Sequence, residues 1–323
     1  MALNSVNSTT FQIDVSSQIS QPGCHKIAVQ VFWGDVESKR LPNLVLFCQP
    51  GGAMNRHYFS LLAEEDYSHS FAHYMAASNK IVVTMDHLGV GESSVPTDGF
   101  GLTLEVLAAA NHAAVVQTCA LLFEGNISDT LPALAHIKPI GIGHSMGAML
   151  TVVQQERHKS YKSLILLGFS NQGLPDMLTD EEKFYIDNAE KTRRNARKLA
   201  EQYFSEPYVG EKKRELPPGA SKNNSISDIA KQAVAKTKAP LLAVGGMMSL
   251  IPGSIRPEME SITVPIFLGL GDRDLIKNPH AVPAEFPECS ELALLVLRDT
   301  GHNHFLCETR FLLFERIAYW IES

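Results

Sequence analysis

The sequence predicts an α/β fold in which a mostly parallel sheet carries helices on both faces. Short apolar runs alternate with longer helical patterns along most of the chain. Several of these runs are apolar at successive positions, which is typical of strands covered on both faces. Connections of this strand–helix–strand kind form right-handed crossovers, so neighbouring strands are expected to run parallel.

The first predicted strand, 25–33, alternates apolar and polar residues like a strand with one covered face. Further strands are predicted at 43–49, 80–86, 137–143, 163–169, 264–272 and 292–299. Helices are predicted at 56–77, 102–124, 146–158 and 305–321. The helix at 102–124 is rich in alanine and leucine and is followed by Gly125, a residue suited to a helix C-terminus.

The alternation stops between residues 171 and 262. This segment contains two polar helical patterns, at 180–204 and 225–237, with a charged link at 211–224 and an apolar loop at 240–254. Because strands resume after it, we interpret the segment as an insertion (171–262) into one core domain (1–170 and 263–323). A solvated helix face is expected for its basic cluster, Lys191, Arg193, Arg194, Arg197 and Lys198.

Composition excludes several classes of protein. The net charge of −7 and the estimated pI of 5.9 give no basic footprint, so a nucleic-acid partner is not expected. The five scattered cysteines form no CxxC pair, which argues against a disulfide framework and a zinc site. The N-terminus lacks the features of a signal peptide, and an uninterrupted apolar run of about 18 residues is missing. These observations predict a cytoplasmic protein without a membrane span.

The stretch "GIGHSMGAML" (141–150) places a serine where an apolar strand meets a helix. It contains the pattern G-x-S-x-G, in which Gly143 and Gly147 leave room for a sharp turn at Ser145. A plain glycine turn with an incidental serine is the alternative interpretation. The strand before and the helix after favour a nucleophile, and the amide of Met146 at the helix start would face a developing anion.

A serine hydroxyl needs a base and an orienting carboxylate before it can attack. Two later strand ends supply candidates: "GDRD" contains Asp272 and Asp274, and "TGHNH" contains His302 and His304. The order serine, aspartate, histidine fits a Ser-His-Asp triad on an open α/β sheet. Asp176 is a further candidate acid. A packed position behind the turn is expected for His144, and ordinary structural roles for His57, His87 and His112.

These motifs together resemble the α/β-hydrolase superfamily over essentially the whole chain. Besides the serine turn, "DHLGVGESS" (86–94) resembles the D-x-x-G-x-G-x-S stretch after the fourth strand, and the "GDRD" and "TGHNHF" loops resemble the acid and base loops. The resemblance implies a mostly parallel eight-stranded sheet, a helical cap formed by the insertion and no cofactor or metal. It makes Asp274 the acid and His302 the base.

The resemblance also implies an oxyanion hole made of two backbone amides. Met146 is expected to supply one amide, and the loop "QPGGAMNRHYF" (49–59) the other. The sequence has Pro50-Gly51 where many relatives carry His-Gly, so the second donor stays open among Gly52, Ala53 and Met54.

A serine at the turn excludes the branches with an aspartyl nucleophile and predicts acyl chemistry, with an ester or lactone of a small, mainly hydrophobic molecule as substrate. Thioester or C–C bond hydrolysis, acyl transfer, lyase chemistry and a non-catalytic receptor are the alternatives. Substrate contacts are predicted for Met54, His144, Met247 and Met248, within an apolar wall that includes Leu241, Leu242, Leu250 and Ile251. Arg56 and Arg273 are expected to be ordinary exposed arginines, and a contact with an acidic substrate is the alternative. A second copy of the chain is the expected macromolecular partner.

Overall fold

The computed structural model describes residues 6–35, 43–62, 66–210 and 228–323. An eight-stranded sheet forms its centre, in the order β1-β2-β4-β3-β5-β6-β9-β10. Its strands are β1 (Asn7–Asp14), β2 (Lys26–Trp33), β3 (Leu44–Gln49), β4 (Ile81–Met85), β5 (Lys138–His144), β6 (Ser163–Leu167), β9 (Ile266–Gly271) and β10 (Leu292–Leu297). Strands β1, β2 and β4 pair antiparallel, and all later neighbours in the sheet pair parallel. The predicted mostly parallel, eight-stranded sheet is confirmed.

Helices cover both faces of the sheet. They are α1 (Phe71–Ala77), α2 (Leu104–Glu124), α3 (Met146–His158), α4 (Asp180–Lys183), α5 (Ala189–Phe204), α6 (Asp228–Ala235), α7 (Ala243–Leu250), α8 (Arg256–Glu260) and α9 (Arg310–Trp320). The core divides accordingly: α2 and α3 pack on one face of the sheet, and α1 and α9 pack on the other.

Strand β1 (Asn7–Asp14) was not predicted from the sequence. β1 pairs along its whole length with β2 at the edge of the sheet, and most of its side chains are exposed or half-buried. An edge strand of this kind needs few apolar residues, so its composition resembles that of a polar terminal segment.

Two of the predicted elements are wrong. Residues 56–77 do not form one helix: a 3₁₀ turn (Arg56–Ser60) precedes α1, whose start is capped by the Ser70 hydroxyl accepting the His73 amide. The apolar loop predicted at 240–254 contains a short strand, β8 (Leu241–Leu242), followed by helix α7. The final helix begins later than predicted, at Arg310, after a 3₁₀ turn (His304–Leu306).

Helix α7 contains two glycines because its neighbours approach it closely. A Cβ at Gly245 would lie 2.7 Å from the Met146 sulfur, and one at Gly246 would lie 2.8 Å from the Leu241 side chain. Glycine is unfavourable inside a helix, so the pattern predicted a loop, whereas packing makes this stretch helical.

The segment between β6 and β9 holds helices α4 to α8 and a small antiparallel pair, β7 (Tyr208–Val209) with β8. The charged link predicted at 211–224 lies outside the described residues. Arg193 of α5 has a side chain only 16% exposed and forms ion pairs with Glu105 of α2 and Glu258 of α8. The prediction that the basic cluster lies on a solvated helix face is therefore wrong for Arg193. Its ion pair with Glu105 connects α5 to α2, which packs on the sheet.

Within the described part of the chain, one helix is long and apolar enough to cross a membrane by length and composition. This is α2, and half of the relevant window is buried inside the protein. It packs against α3 and against β1 and β2, as a core helix of a globular domain does.

Candidate active site

Ser145 occupies a sharp turn between β5 and α3. Its backbone adopts φ 54° and ψ −122°, a conformation that a residue with a side chain adopts only under strain. A Cβ at Gly143 would overlap the Cα of Ala148, and one at Gly147 would overlap the carbonyl of Gln49. Both glycines are therefore required where strand and helix nearly touch, as the sequence pattern predicted.

Three predicted side chains meet beyond the ends of neighbouring strands. Ser145 follows β5, Asp274 follows β9 and His302 follows β10. The Ser145 hydroxyl donates to Nε2 of His302 over 2.9 Å, and Nδ1–H of His302 donates to Oδ1 of Asp274 over 2.6 Å. Because β5, β6, β9 and β10 are successive parallel neighbours, their carboxyl ends lie at one edge of the sheet.

The carboxylate of Asp274 is fully buried and doubly paired. Its Oδ2 accepts a hydrogen bond from Nε2 of His304 over 3.0 Å, while Oδ1 accepts from His302 and from the Leu275 amide. Burial alone would raise the pKa of Asp274, but the charge and the hydrogen bonds of the two imidazoles hold this pKa well below its usual value. The group is an anion throughout the neutral range.

The rival acids lie elsewhere. Asp272 is exposed, and its Oδ1 accepts the amide of Thr300, which fixes the start of the base loop. Asp176 forms an exposed ion pair with Lys277, with 2.9 Å between nitrogen and oxygen. The structure therefore places Asp274, of the three candidate acids, against His302.

His144 lies behind the turn. Its Nε2–H donates to the backbone carbonyl of His302 over 2.9 Å, and its ring packs on Tyr58 at a centroid distance of 4.6 Å. Burial, together with the neighbouring His302 and His304, holds the pKa of His144 well below its ordinary value. A neutral, packed imidazole supports the base loop, and its burial leaves it no face for a substrate.

The loop after β3 lies directly against the turn. A Cβ at Gly51 would be 3.2 Å from Cβ of Ser145, and one at Gly52 would be 3.8 Å from Cβ of Met146. Among the described residues, none accepts a hydrogen bond from the backbone amides of Gly52, Ala53 or Met146. The amide of Met54, in contrast, donates to the carbonyl of Gly51 over 3.3 Å, so it is already used.

Backbone contacts from the β6–β9 segment hold this loop. The Asn55 amide donates to the carbonyl of Thr237 over 2.8 Å, and the Ala239 amide donates to the carbonyl of Ala53 over 3.0 Å. Between these bonds, Met54 forms an antiparallel bridge with Lys238. Ala53 is held in the left-handed region, with φ 66°.

A buried ion pair fixes the far end of the loop. The carboxylate of Asp86 accepts hydrogen bonds from the Arg56 amide and guanidinium, each over 2.6 Å, and from the Glu92 amide. Arg56 is 3% exposed and its second nitrogen pairs with the Glu92 carboxylate. The expected surface position of Arg56 is therefore wrong, and its ion pairs also leave it unavailable to an acidic substrate. Arg273 pairs with Asp299 on the surface.

His87, for which a structural role was expected, supports the near end of the loop together with Asn111. His87 donates from Nε2 to the carbonyl of Pro50 over 3.0 Å, and its Nδ1 accepts from Asn111, which also donates to Gln49. These side chains orient the backbone that enters the 50–54 loop. The only sequence signal was a histidine next to Asp86 in the quoted "DHLGVGESS" motif. His112 stacks on His158 and contacts Ser160, away from this site, and His57 is half-buried beside Arg56.

A cavity of about 80 Å³ opens beside Ser145 and His302. Its apolar lining includes Met146, Met149, Phe169, Leu174, Met248, Ile251, Leu275 and Ile276, and its polar lining includes Ser170, Asn171, Ser249 and Ser254. Among the described residues that line it, none carries a carboxylate, an ammonium or a guanidinium group. Within the same described ranges, no cluster of three or more His, Cys, Asp or Glu side chains is arranged to hold a metal ion.

Of the predicted substrate contacts, Met248 lines the cavity, as does Ile251 from the expected apolar wall. Met54, His144 and Met247 do not line it: Met54 lies in the 50–54 loop, while His144 and Met247 are buried in the interior. The lining residues that follow β6 and β9 were missed, because nothing in a sequence pattern says which loop residues turn inward.

Comparison with known proteins agrees with this architecture. The sequence model of the alpha/beta hydrolase family matches residues 45–312. The chain therefore belongs to the alpha/beta hydrolase family. No curated protein sequence matches the chain.

Solved structures with the same fold have diverse activities. An esterase from Exiguobacterium antarcticum has a TM-score of 0.61 at 16% identity, with 97% of this chain and 99% of that chain covered. A thermophilic esterase from Thermogutta terrifontis has a TM-score of 0.59 at 15% identity, with 97% and 98% covered. An epoxide hydrolase from Vigna radiata has a TM-score of 0.57 at 11% identity, with 100% and 99% covered. At these identities the likeness shows the fold alone.

Proposed function

We propose that the protein is a serine hydrolase that cleaves a carboxylic ester or lactone of a small, neutral, mainly apolar molecule. The observation that carries this proposal is the chain of two hydrogen bonds from Ser145 through His302 to Asp274. The two esterases named above have the same fold, and esterase activity is consistent with it, but the reaction class is proposed from the hydrogen bonds of the site.

In this mechanism His302 accepts the Ser145 proton through Nε2 while the serine oxygen attacks the substrate carbonyl. The buried, anionic Asp274 accepts a hydrogen bond from Nδ1–H of His302, which leaves Nε2 free to act as the base, and it stabilises the imidazolium that forms. The imidazolium then protonates the leaving alcohol, which leaves an acyl-serine. Water, deprotonated by the same nitrogen, releases the acid and restores the serine.

The developing oxyanion is assigned to the amide of Met146 and to one amide of the 50–54 loop. The geometry favours Gly52 or Ala53 over Met54, because the Met54 amide is already donated to Gly51. Met146 begins helix α3, so its amide has no partner within the helix. Each such donor contributes about 2.7–4 kcal/mol to the transition state in enzymes where it has been removed.

The cavity and its surroundings favour a neutral substrate. Its lining contains more apolar than polar side chains and lacks charged groups among the described residues. The two arginines considered for an acidic substrate form ion pairs outside the cavity, Arg56 with Asp86 and Arg273 with Asp299. A buried substrate carboxylate would therefore have no cationic partner, which is costly. We assign residues 171–262, which supply Met248 and Ile251 to the lining, to a cap over the site.

The test is the Ser145→Ala variant with p-nitrophenyl acetate. We expect turnover to fall by at least about 1,000-fold, because the nucleophile is lost. A fluorophosphonate probe should label Ser145 in the wild-type protein, and peptide mapping identifies the modified residue. The matched control is Ser290→Ala, which changes an exposed serine outside the site. Full activity in Ser145→Ala would overturn the proposal, and a parallel panel of thioesters and β-diketones separates the alternative reactions.

A further inference from the structure

The acid of the site has a second imidazole partner that the mechanism above does not use. We propose that His304 is a positioning residue that clamps the Asp274 carboxylate, so that its other oxygen is aimed at His302. This inference rests on the proposed function, since it concerns how the same three side chains are held.

His304 is completely buried, and its ring can act here only as a donor. Nε2 lies 3.0 Å from Oδ2 of Asp274, which requires the proton on Nε2 because a carboxylate oxygen accepts. Among the described residues, Nδ1 of His304 has no hydrogen-bond partner. His304 therefore does not compete with His302 for Ser145. It occupies the opposite edge of the carboxylate instead.

The loop that carries both histidines is rigidly placed by Phe305. This residue is fully buried, stacks on Tyr58 at 4.9 Å between ring centroids and packs parallel to Phe71 at 5.6 Å. His304 starts the 3₁₀ turn that contains Phe305. The packing of Phe305 therefore fixes the backbone that carries the His304 imidazole. The Asp274 carboxylate accepts hydrogen bonds from two histidines of this one loop.

Three titratable groups that interact with Asp274, namely Tyr58, His144 and Cys307, are uncharged near pH 7, while the charged Arg310 and Glu308 lie beside Cys307. Burial raises the pKa values of Tyr58 and of the Cys307 thiol, and burial lowers the pKa of His144. Among the described residues, Asp274 is the one carboxylate within ion-pair distance of His302 and His304. Both imidazoles donate hydrogen bonds to the same carboxylate. Without the His304 hydrogen bond, the Asp274 carboxylate should therefore interact more strongly with the His302 imidazolium.

This sharing gives a signature that a merely structural residue lacks. In His304→Phe the imidazole is replaced by a phenyl ring, which keeps an aromatic side chain but lacks the N–H donor. We expect kcat for p-nitrophenyl acetate to fall roughly 10–100-fold with KM little changed, because one charge-assisted hydrogen bond to the acid is missing. The acid limb of the kcat/KM profile should move to higher pH by about half a unit or more, because the His302 imidazolium is held more strongly.

His304→Gln is the rescue variant, because its amide nitrogen reaches about as far as Nε2. It should stay within about threefold of wild type, with an unshifted acid limb. His304→Asn has the same polarity but a shorter reach, so it should behave like His304→Phe, and this pair decides the question if the Phe variant fails to fold. His158→Phe, a histidine outside the site, is the control for loss of an imidazole.

Fluorophosphonate labelling of wild-type Ser145 is measured first. If the wild-type serine is not labelled and no ester is turned over, the proposed function fails. If the wild-type serine is labelled but Gln, Asn and Phe at position 304 all keep the wild-type rate and acid limb, the assignment of His304 alone is overturned. Equal losses in all three variants with no shift of the acid limb also overturn it, since that outcome marks a purely structural role.

Discussion

The backbone amide of Ala239 donates a hydrogen bond to the carbonyl of Ala53, with 3.0 Å between nitrogen and oxygen. This bond joins the β6–β9 segment to the loop that lies against Ser145. The amides of Gly52 and Ala53 in this loop are the proposed oxyanion donors. The segment that supplies part of the cavity lining is therefore hydrogen-bonded to the backbone that would carry those donors.

Ala239→Pro should therefore impair catalysis from a position outside the cavity. Proline has no amide hydrogen, so the bond to Ala53 is lost, and we expect kcat to fall about 10-fold with a smaller change in KM. Steady-state kinetics with p-nitrophenyl acetate measure the effect. Ala239→Gly keeps the amide and serves as the control. Equal activities of the proline and glycine variants would contradict the coupling.

Ala53 itself is held at φ 66°, where a side chain is unfavourable. Ala53→Gly should keep activity and raise the free energy of unfolding by up to about 1 kcal/mol, because glycine adopts this conformation without strain. Ala53→Val should lower both stability and kcat, since a β-branched residue fits this region worst. Urea denaturation and ester turnover measure the two effects. The prediction is wrong if valine is tolerated as well as glycine.

The size of the cavity limits the substrate. A volume of about 80 Å³ has room for roughly five to eight water-sized groups, so acetate and butyrate esters should be cleaved faster than octanoate. Met248→Ala should move the optimum of kcat/KM to longer chains, because Met248 lines the cavity. Met247→Ala is the matched control, since Met247 is buried outside the lining. If the wild-type protein preferred octanoate esters, the proposed limit on substrate size would be wrong, while the proposed ester hydrolysis would be unaffected.

Acid should weaken the fold before the carboxylates titrate. Burial lowers the pKa of His73 to about 4, and it also lowers the pKa values of His87 and His144. In the unfolded chain a histidine takes up a proton below about pH 6.5. The unfolded state therefore binds more protons than the folded state, and the free energy of unfolding should fall as the pH drops from about 6.5 towards 4.

Urea denaturation between pH 7.5 and pH 4.5 measures this slope. His73→Phe should flatten it, because the half-buried imidazole with the lowered pKa is gone, and His280→Phe, at an exposed histidine, serves as the control variant. An unchanged slope in His73→Phe would show that other groups carry the dependence. Asp274 contributes only at lower pH: its depressed pKa stabilises the fold above about pH 4 and this contribution is lost below that value.

The sequence predicted the sheet and the candidate site for the same reason. Buried parallel strands must be continuously apolar, and the turns at their ends need glycine in fixed places, as at Gly143 and Gly147. Ser145, Asp274 and His302 stand at such ends, so strand order brought the candidates to one edge of the sheet. The choice of Asp274 over Asp272, and of His302 over His304, came from the family resemblance. The pairing of Arg56 with Asp86 did not, because it joins two loops whose approach depends on tertiary packing.

Helix α7 escaped prediction for a related reason. Its two glycines oppose a helix locally and are required by the close approach of Met146 and Leu241. The lining of the cavity depends in the same way on which loop residues turn inward after β6 and β9. The cytoplasmic location and the homodimer stay predictions from the sequence.

The residues of the site are widely spaced along the chain. Ser145 and His302 are 157 positions apart, and Asp274 lies between them. During synthesis the serine leaves the ribosome long before its base, when β9 and β10 do not yet exist. Under the proposed function, a growing chain therefore carries an inert hydroxyl at the turn, and Ser145 gains its base only after the last two strands have joined the sheet.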